Sequence, residues 1–325
     1  MIFGFIDHDR GKLNEQSLEM LTLAQRLAAD LGDEVEAIVI GESGREIASS
    51  LGAYGVTKIH LVVHEQLDDF APSAWARSIG QLMKSESPAA VLAPGSERGN
   101  EILAHLAAQN NLPMAANCTE IQPSQDGYQV TRVRWGGSLL EEALLKGATK
   151  LLSIAPLAVV PTEADSPAEL TINEVTPTIA DKDLRVRVTS RVQPEADKVS
   201  LTDANVVVGG GRGVGSTEGF ETLDELAGLL GGAVGCSRAV TNEGWRPHAD
   251  QVGQTGARVS PELYIAAGIS GAIQHYAGCK GAKQILVINT DPEAPIISKA
   301  DYAVIGDLHQ VLPAITDEVR KLQDS

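Results

Sequence analysis

The chain has 325 residues, of which 43% are apolar and 21% are charged, a composition typical of a globular protein with room for two domains. Its formal net charge of -17 at pH 7 disfavours nucleic acid and anionic membrane surfaces as partners. Three dispersed cysteines without a CxxC spacing predict reduced thiols, and seven histidines without metal-ligand spacing predict no metal site.

The sequence has no pattern typical of export or of membrane insertion. The N-terminal MIFGFIDHDRGK has too short an apolar run for a signal peptide. No apolar run reaches the roughly 18 residues of a membrane-spanning helix. We therefore expect a cytoplasmic protein without direct membrane insertion, or a mitochondrial matrix protein if the source is eukaryotic.

Strand and helix patterns alternate along the first third of the chain. The apolar runs MIFGFID, VEAIVIG, KIHLVVH and AAVLA predict buried strands. Helical spacing predicts helices over residues 14–31, 73–84 and 100–109, with a short helix in REIASSLGAYG. This alternation predicts a mostly parallel sheet covered by helices on both faces. The turn PGSERGNE lacks the Lys-Ser/Thr pair of a phosphate-binding loop, so we interpret it as a helix N-cap.

The pattern changes from Tyr128 onwards. The stretches YQVTRVRWGGSLLEEALLKG and KLLSIAP predict an antiparallel hairpin added at the edge of the sheet. Between Pro156 and Ala204, prolines and acidic, Thr-rich segments indicate a connecting arm, in which LRVRVTSRV has the alternation of a half-exposed strand. We therefore predict two domains, residues 1–194 including the arm and residues 195–325.

The second domain begins with NVVVGGGRGVG, which suggests a dinucleotide-binding turn. The fingerprint GxGxxG fails on counting, because the third glycine position is Val214 or Ser216. The next strand, GAVGCSR, also ends without the acidic residue that would bind a ribose. A hydride-transferring NAD enzyme is therefore disfavoured.

Positive charge and small donors follow the predicted strands instead. Arg212 in the glycine turn can pair with a phosphate through two hydrogen bonds, and Ser237 can supply a hydroxyl. Arg238 ends an apolar strand beside the presumed cleft, which is an unusual place for a surface arginine. Because the ends of parallel strands meet at one edge of a sheet, these groups are expected to face the same ligand.

Two further segments reach the same edge. The turn QVGQTG, residues 251–256, has donors that could bind the edge of a ring system. In GISGAIQH, Ser270 is predicted to be the helix N-cap and His275 to lie about a turn and a half into the helix. Together these segments predict a site for a long, phosphate-bearing ligand.

Six motifs in the second domain resemble those of the alpha subunit of electron transfer flavoprotein. They are GGGRGVG, CSRAV, DQVGQTG, LYIAAGISGAIQHYAG, VINTDPEAPI and ADYAVIGDL, and their order and spacing agree over residues 205–313. The first half is similar more loosely, through IDHDRGKL and LGAYGVTKI. The resemblance implies an α/β fold of two doubly wound domains with mostly parallel sheets. The first would be nucleotide-hydrolase-like and the C-terminal one would bind FAD.

The same resemblance assigns roles to individual residues. Arg212 would bind the pyrophosphate side of FAD, Ser237 would also contact FAD, and Arg238 would lie against the isoalloxazine ring. His275 would approach the C2 carbonyl beside N1. The flavin edge would be lined by Val252, Gly253, Gln254 and Thr255, with Thr255 near N5; the phosphate and ribityl region would be cradled by Ser270, Gly271, Ala272, Ile273 and Gln274; and the adenosine end would be held by Asn289, Asp307 and Leu308.

The resemblance also implies an electron carrier subunit rather than a stand-alone enzyme. Acyl-CoA or other flavoprotein dehydrogenases, as in fatty acid beta-oxidation, would donate electrons to FAD. A quinone oxidoreductase or similar acceptor would remove them, through an anionic semiquinone. Positive or donor groups such as Arg238 and His275 would stabilise that anion. The partner would be a beta subunit in a heterodimer, which holds AMP or a second FAD.

Several alternatives stay open at this point. The chain could be the alpha subunit of an electron-bifurcating, NADH-dependent form, an enzyme with its own small substrate, or a nucleotide-binding regulatory module. The sequence also departs from the family, because SRAVTNEGW stands where SRAAVDAGW is common. Thr241, Asn242 and Glu243 thus replace an apolar-Asp-small run, which leaves the subclass undecided.

Overall fold

The computed structural model of the chain describes residues 1–164, 168–191 and 199–323. The chain divides into two compact units, Met1–Arg191 and Val192–Ser325. The predicted domain boundary at residue 194 lies outside the described residues. Each unit is a layered α/β structure with a mostly parallel sheet, which confirms the predicted fold class. No helix within these ranges has both the length and the apolar character needed to cross a bilayer.

The first unit contains the four strands that the apolar runs predicted. They are buried along most of their length because helices cover both faces of the sheet. The strands described in this unit are β1 (Ile2–Phe5), β2 (His8–Asp9), β3 (Lys12–Leu13), β4 (Val35–Ile40), β5 (Val56–Val62), β6 (Ala90–Pro94), β7 (Met114–Ser124), β8 (Gly127–Arg134), β9 (Leu139–Leu145), β10 (Lys150–Ile154) and β11 (Thr171–Val175), and its α-helices are α1 (Gln16–Leu31), α2 (Arg45–Ala48), α3 (Pro72–Glu86) and α4 (Glu97–Asn110). The four predicted strands are β1, β4, β5 and β6 of these elements.

The main sheet of this unit has the order β11-β5-β4-β1-β6-β10-β7-β8-β9, and β2 and β3 form a small separate hairpin. All pairings from β11 to β7 are parallel, and β8 and β9 add the predicted antiparallel hairpin at one edge. The placement of KLLSI with that hairpin is wrong. This segment is β10, which lies between β6 and β7 with parallel partners because its apolar side chains are buried on both faces.

The connecting arm also differs from its prediction. Residues 184–191, the described part of LRVRVTSRV, form no strand, because their backbone does not pair with a neighbouring strand. Arg191 instead pairs with Asp9 and Asp69. The arm does contain a strand, β11, at an exposed edge beside β5. Its sequence TINEV is too polar to reveal a strand. The N-cap interpretation of PGSERGNE is confirmed, since the Ser96 hydroxyl accepts a hydrogen bond from the Gly99 N–H at 3.0 Å.

The second unit has one five-stranded parallel sheet. Apolar side chains alternate between its two faces, with Val207 and Tyr264 in one core and Val208 and Ile265 in the other. Its strands are β12 (Val206–Gly210), β13 (Ala233–Cys236), β14 (Leu263–Ala267), β15 (Gln284–Asn289) and β16 (Tyr302–Ile305), and its helices are α5 (Glu221–Leu229), α6 (Arg238–Asn242), α7 (Ile273–Cys279) and α8 (Leu308–Gln323).

The strand order β13-β12-β14-β15-β16 creates a point where the direction of winding reverses, between β12 and β14. In doubly wound sheets the chain leaves the two strands at such a point towards opposite faces, and a crevice forms at their carboxyl ends. This edge of the second unit is therefore the place where a ligand site is expected.

Candidate functional site

The predicted site residues lie at the carboxyl ends of the five strands of the second unit or in the segments packed beside them. Hydrogen bonds between backbone groups hold neighbouring strand ends together. The Ser237 N–H donates to the Gly210 carbonyl at 2.9 Å, and the Gly211 N–H donates to the Ala267 carbonyl at 2.9 Å. Because adjacent strands lie 4.7–4.9 Å apart, five strands give an edge about 19 Å long. Similar bonds continue the edge from Gly268 to Ile288 and from Gly306 to Asn289.

The glycine turn after β12 packs directly on the backbone after β14. A methyl group on Gly211 would lie 2.1 Å from the Gly268 carbonyl oxygen, and one on Gly213 would lie 2.7 Å from the Gly268 Cα. Gly268 itself has a φ of 63°, in the left-handed region that favours glycine. The glycines of GGGRGVG thus allow two backbone segments to touch where the winding reverses.

Positively charged and hydroxyl groups surround this glycine contact. Arg212 lies in a short 3₁₀ turn, and Arg238 is the first residue of α6. Both side chains are exposed, and neither has a hydrogen-bond or ion-pair partner within residues 1–164, 168–191 and 199–323. Ser237 is the N-cap of α6, but its hydroxyl makes no capping bond. Two guanidinium groups and one hydroxyl are therefore available to an anionic ligand.

The structure brings the segment 252–255 against α7 along its length. The Gln254 N–H donates to the Gln274 carbonyl at 2.7 Å, and a methyl on Gly278 would lie 2.2 Å from the Gly253 nitrogen. On its other side, the Val252 N–H donates to the carbonyl at the end of β13 at 2.9 Å. The side chains of Gln254 and Thr255 remain exposed. This loop therefore packs between the end of β13 and α7.

The start of α7 differs from its prediction. Ser270 is not the N-cap; Ala272 occupies that position, because Gly271 makes a tight turn at a φ of 78° before the helix begins. The Ser270 hydroxyl has no hydrogen-bond partner in the part of the chain that the structure describes. Ile273, the first helical residue, is 67% exposed. An exposed apolar side chain beside unpaired donors suits a ligand that has both ring and phosphate groups.

His275 is the third residue of α7, so its placement a turn and a half into the helix is wrong. Its side chain is 7% exposed, and Nε2 lies 2.9 Å from the Tyr264 hydroxyl on β14. Nδ1 is buried and has no hydrogen-bond partner of good geometry among the described residues. Burial lowers the pKa of His275 to about 4, so the ring is neutral at pH 7. It can donate a hydrogen bond but supplies no positive charge, which leaves the charge at this edge to Arg212 and Arg238.

This pKa is directly measurable. The unfolded chain protonates His275 near the ordinary value of 6.5, whereas the folded chain protonates it only at about 4. Between these pH values the unfolded state binds more protons, so the free energy of unfolding falls by about 3 kcal/mol as the pH is lowered. We expect the ring resonances of His275 to show a midpoint near pH 4 in an NMR titration of the protein without ligand. A midpoint at or above pH 6.5 would show that the ring is not held neutral.

The three residues predicted to hold an adenosine group have structural roles. The Asn289 amide donates to the Ile269 carbonyl at 2.9 Å. The Asp307 carboxylate accepts a hydrogen bond from the His309 N–H at 3.0 Å and so stabilises the start of α8. Leu308 is buried in the core. These residues therefore shape the far end of the edge.

Sequence reasoning missed a buried glutamine behind the site. Gln251 is 2% exposed. Its side chain connects Thr241 on α6 to Thr255 in the segment 252–255, which we call the site loop, through hydrogen bonds of 2.8 Å and 3.0 Å. The contact between Tyr264 and His275 was not predicted either. Neither contact has a local sequence signal, because each joins segments that meet only in the folded unit.

The corresponding strand end in the first unit has a different charge. Asp7 and Asp9 follow β1, and Asp9 accepts hydrogen bonds from Arg98 and Arg191 at 3.3 Å and 3.1 Å. Burial alone would raise the pKa of Asp9, but the hydrogen bond from Arg191 and the charges of both arginines lower it below its ordinary value. The arginines here are already paired, and the carboxylates repel phosphate. A phosphate-bearing ligand therefore fits the edge of the second unit and not this one.

Family models of known proteins match both units of the chain. Residues 2–180 match the family model of the electron transfer flavoprotein domain, and residues 200–280 match that of the electron transfer flavoprotein FAD-binding domain. Asn289, Asp307 and Leu308 lie beyond the second match.

Relatives match over nearly the whole chain. The chain is 33% identical over 326 residues to the electron transfer flavoprotein subunit alpha of Thermoanaerobacterium thermosaccharolyticum, covering 99% of this chain and 98% of the relative. It is 35% identical to the protein of the same description from Megasphaera elsdenii, covering 98% and 96%. It is also 33% identical to the protein FixB of Clostridium saccharobutylicum, covering 99% and 96%.

Proposed function

The chain belongs to the electron transfer flavoprotein alpha-subunit family, and from this we propose that it is the FAD-binding subunit of an electron carrier. The carrier takes electrons from flavoprotein dehydrogenases, such as acyl-CoA dehydrogenases, and delivers them to an acceptor such as a quinone oxidoreductase. The observation that carries this proposal is the edge of the second unit, where the unpaired Arg212 and Arg238 flank a glycine backbone contact. When bound, FAD supplies a ring that accepts and releases electrons one at a time.

The donors along the edge suit FAD in an extended form. The exposed guanidinium of Arg212 would pair with the pyrophosphate. Arg238 would lie against the isoalloxazine ring, where its positive charge would stabilise the negative charge that an added electron brings. Thr255 would hydrogen-bond the polar edge of the ring. The imidazole of His275 would not, because Nδ1 is buried and Nε2 is bonded to the buried Tyr264 hydroxyl. The exposed Ile273 covers apolar ligand surface and excludes water from it.

The carrier works as a heterodimer with a beta subunit. Membership of the alpha-subunit family supports such a partner, and the AMP or second FAD of the complex would be held by that subunit. A nucleotide-binding regulatory module is the weaker candidate, because the first unit presents paired arginines and carboxylates at its strand ends.

The test is to purify the chain with its beta subunit and record the visible absorbance spectrum and the FAD content. We expect a yellow complex with one FAD per heterodimer that takes up electrons one at a time through an anionic, one-electron-reduced form. Two FAD molecules per heterodimer would instead indicate a bifurcating form. A colourless complex that takes up no added FAD would contradict the proposed function.

A further inference from the structure

The side chain of Gln251 forms a hydrogen-bonded chain inside the second unit. Its Oε1 accepts from the Thr241 hydroxyl at 2.8 Å, and its Nε2 donates to the Thr255 hydroxyl at 3.0 Å. Thr241 lies on α6, next to the helix start that carries Arg238, and Thr255 lies in the site loop. The three side chains therefore link α6 to the ligand edge through one buried amide.

The backbone holds Gln251 firmly in this position. Its N–H donates to the His248 carbonyl at 3.0 Å, and its carbonyl accepts from the Ala257 N–H at 2.7 Å. It also forms an isolated bridge with Cys236 at the end of β13. The loop closes tightly around it, since a methyl on Gly256 would lie 2.2 Å from the Gln251 carbonyl oxygen. A fixed backbone and a buried side chain give the amide one position relative to the site loop.

The direction of these bonds decides what Thr255 offers to a ligand. A threonine hydroxyl has one hydrogen and two lone pairs. Because Gln251 donates to Thr255, one lone pair is used and the hydroxyl hydrogen is left to point elsewhere. Thr255 is exposed at the edge, so that hydrogen is free to rotate towards a ligand there. The hydroxyl is thereby prepared to donate to an acceptor atom.

We propose that Thr241 and Gln251 are positioning residues that set Thr255 as a hydrogen-bond donor to an unprotonated ring nitrogen of the bound ligand. This inference rests on the proposed function, in which the ligand is FAD and the nitrogen is N5. A donor at that atom stabilises the ring while the nitrogen carries no proton. Neither positioning residue touches the ligand; both act through Thr255.

The clearest variant is Gln251→Met, which keeps the size of the side chain and removes the amide. It leaves no buried polar group unpaired, because the Thr241 hydroxyl also lies 3.0 Å from the Arg238 carbonyl and Thr255 is exposed to water. In the heterodimer with ¹⁵N-labelled FAD, we expect the N5 resonance to move towards its position without a hydrogen bond. We expect FAD release to become roughly twofold to tenfold faster, as for the loss of one ordinary hydrogen bond.

Matched variants separate positioning from packing. Thr241→Val removes the donor to Gln251 and should move the N5 resonance in the same direction, whereas Thr241→Ser keeps the hydroxyl and should restore the wild-type signal. In a Thr255→Val background, Gln251→Met should have no further effect on N5, because its action passes through the missing hydroxyl. A purely structural role would instead give additive changes.

The outcomes distinguish this inference from the proposed function. An unchanged N5 resonance in Gln251→Met, or additive effects with Thr255→Val, would overturn the inference while FAD binding stands. A wild-type complex that takes up no FAD would overturn the proposed function and the inference together.

Discussion

Gly211→Ala is expected to destabilise the second unit and to abolish its retention of FAD. The added methyl would lie 2.1 Å from the Gly268 carbonyl oxygen, and this atom belongs to the backbone at the end of β14. Because no flexible side chain can move aside, the two strand ends must separate. Overpacking of this kind costs about 1–3 kcal/mol. Thermal unfolding of the second unit and the FAD that remains after gel filtration both measure the effect.

Gly228→Ala is the matched control for this substitution. Gly228 lies in the last turn of α5, and no atom outside the neighbouring helix backbone is within 4 Å of a methyl group placed there. Alanine in a helix interior is more stable than glycine by roughly 0.5–1 kcal/mol, so this variant should gain stability and keep its FAD. If Gly211→Ala behaved like the control, the backbone contact with Gly268 would not be essential to the site.

Arg238→Ala is expected to weaken FAD binding about tenfold and to lower the potential for the first electron by roughly 60 mV. The arginine is proposed to lie against the ring, where its charge favours the added electron. A charge-assisted hydrogen bond corresponds to about tenfold or more in affinity, and for a one-electron couple tenfold equals about 59 mV. We expect changes at the lower end of this range of affinity and potential, because Arg238 is exposed and water screens its charge. Spectroscopic redox titration measures the potential.

The control is Arg320→Ala, which removes the same charge. Arg320 lies in the last turn of α8, at the opposite end of that helix from the ligand edge. Its side chain pairs with Glu225 on α5. Its loss should leave the FAD affinity and the potential unchanged. Equal shifts in both variants would mean that net charge, and not the position of Arg238, sets the potential.

The alternation of strands and helices could be predicted because it is encoded locally. A buried strand in a parallel sheet must be apolar along its length, and runs such as AAVLA and NVVVGG show this directly. Strand order could not be predicted in the same way. The run KLLSI lies in the middle of its sheet and TINEV at an edge, and only pairing with strands distant in sequence decides this.

The candidate site could also be predicted only in part. Its residues could be proposed from the sequence because polar and glycine residues that follow buried strands gather at one edge of a parallel sheet. The protonation and the hydrogen bonding of those residues could not be predicted from the sequence. His275 is neutral because its neighbours bury it, and Gln251 reaches Thr255 because α6 and the site loop meet in the folded unit.

The sequence by itself therefore determined the class of fold and the family, and it identified the edge at which we propose that a ligand binds, since each depends on local patterns and on motif order. Only the tertiary structure showed which strands pair and that the backbone contact at Gly211 leaves no room for a larger residue. It also showed which side chains at the site carry charge and which position their neighbours. The physical reason is that pairing, burial and hydrogen-bond direction depend on groups brought together from distant parts of the chain.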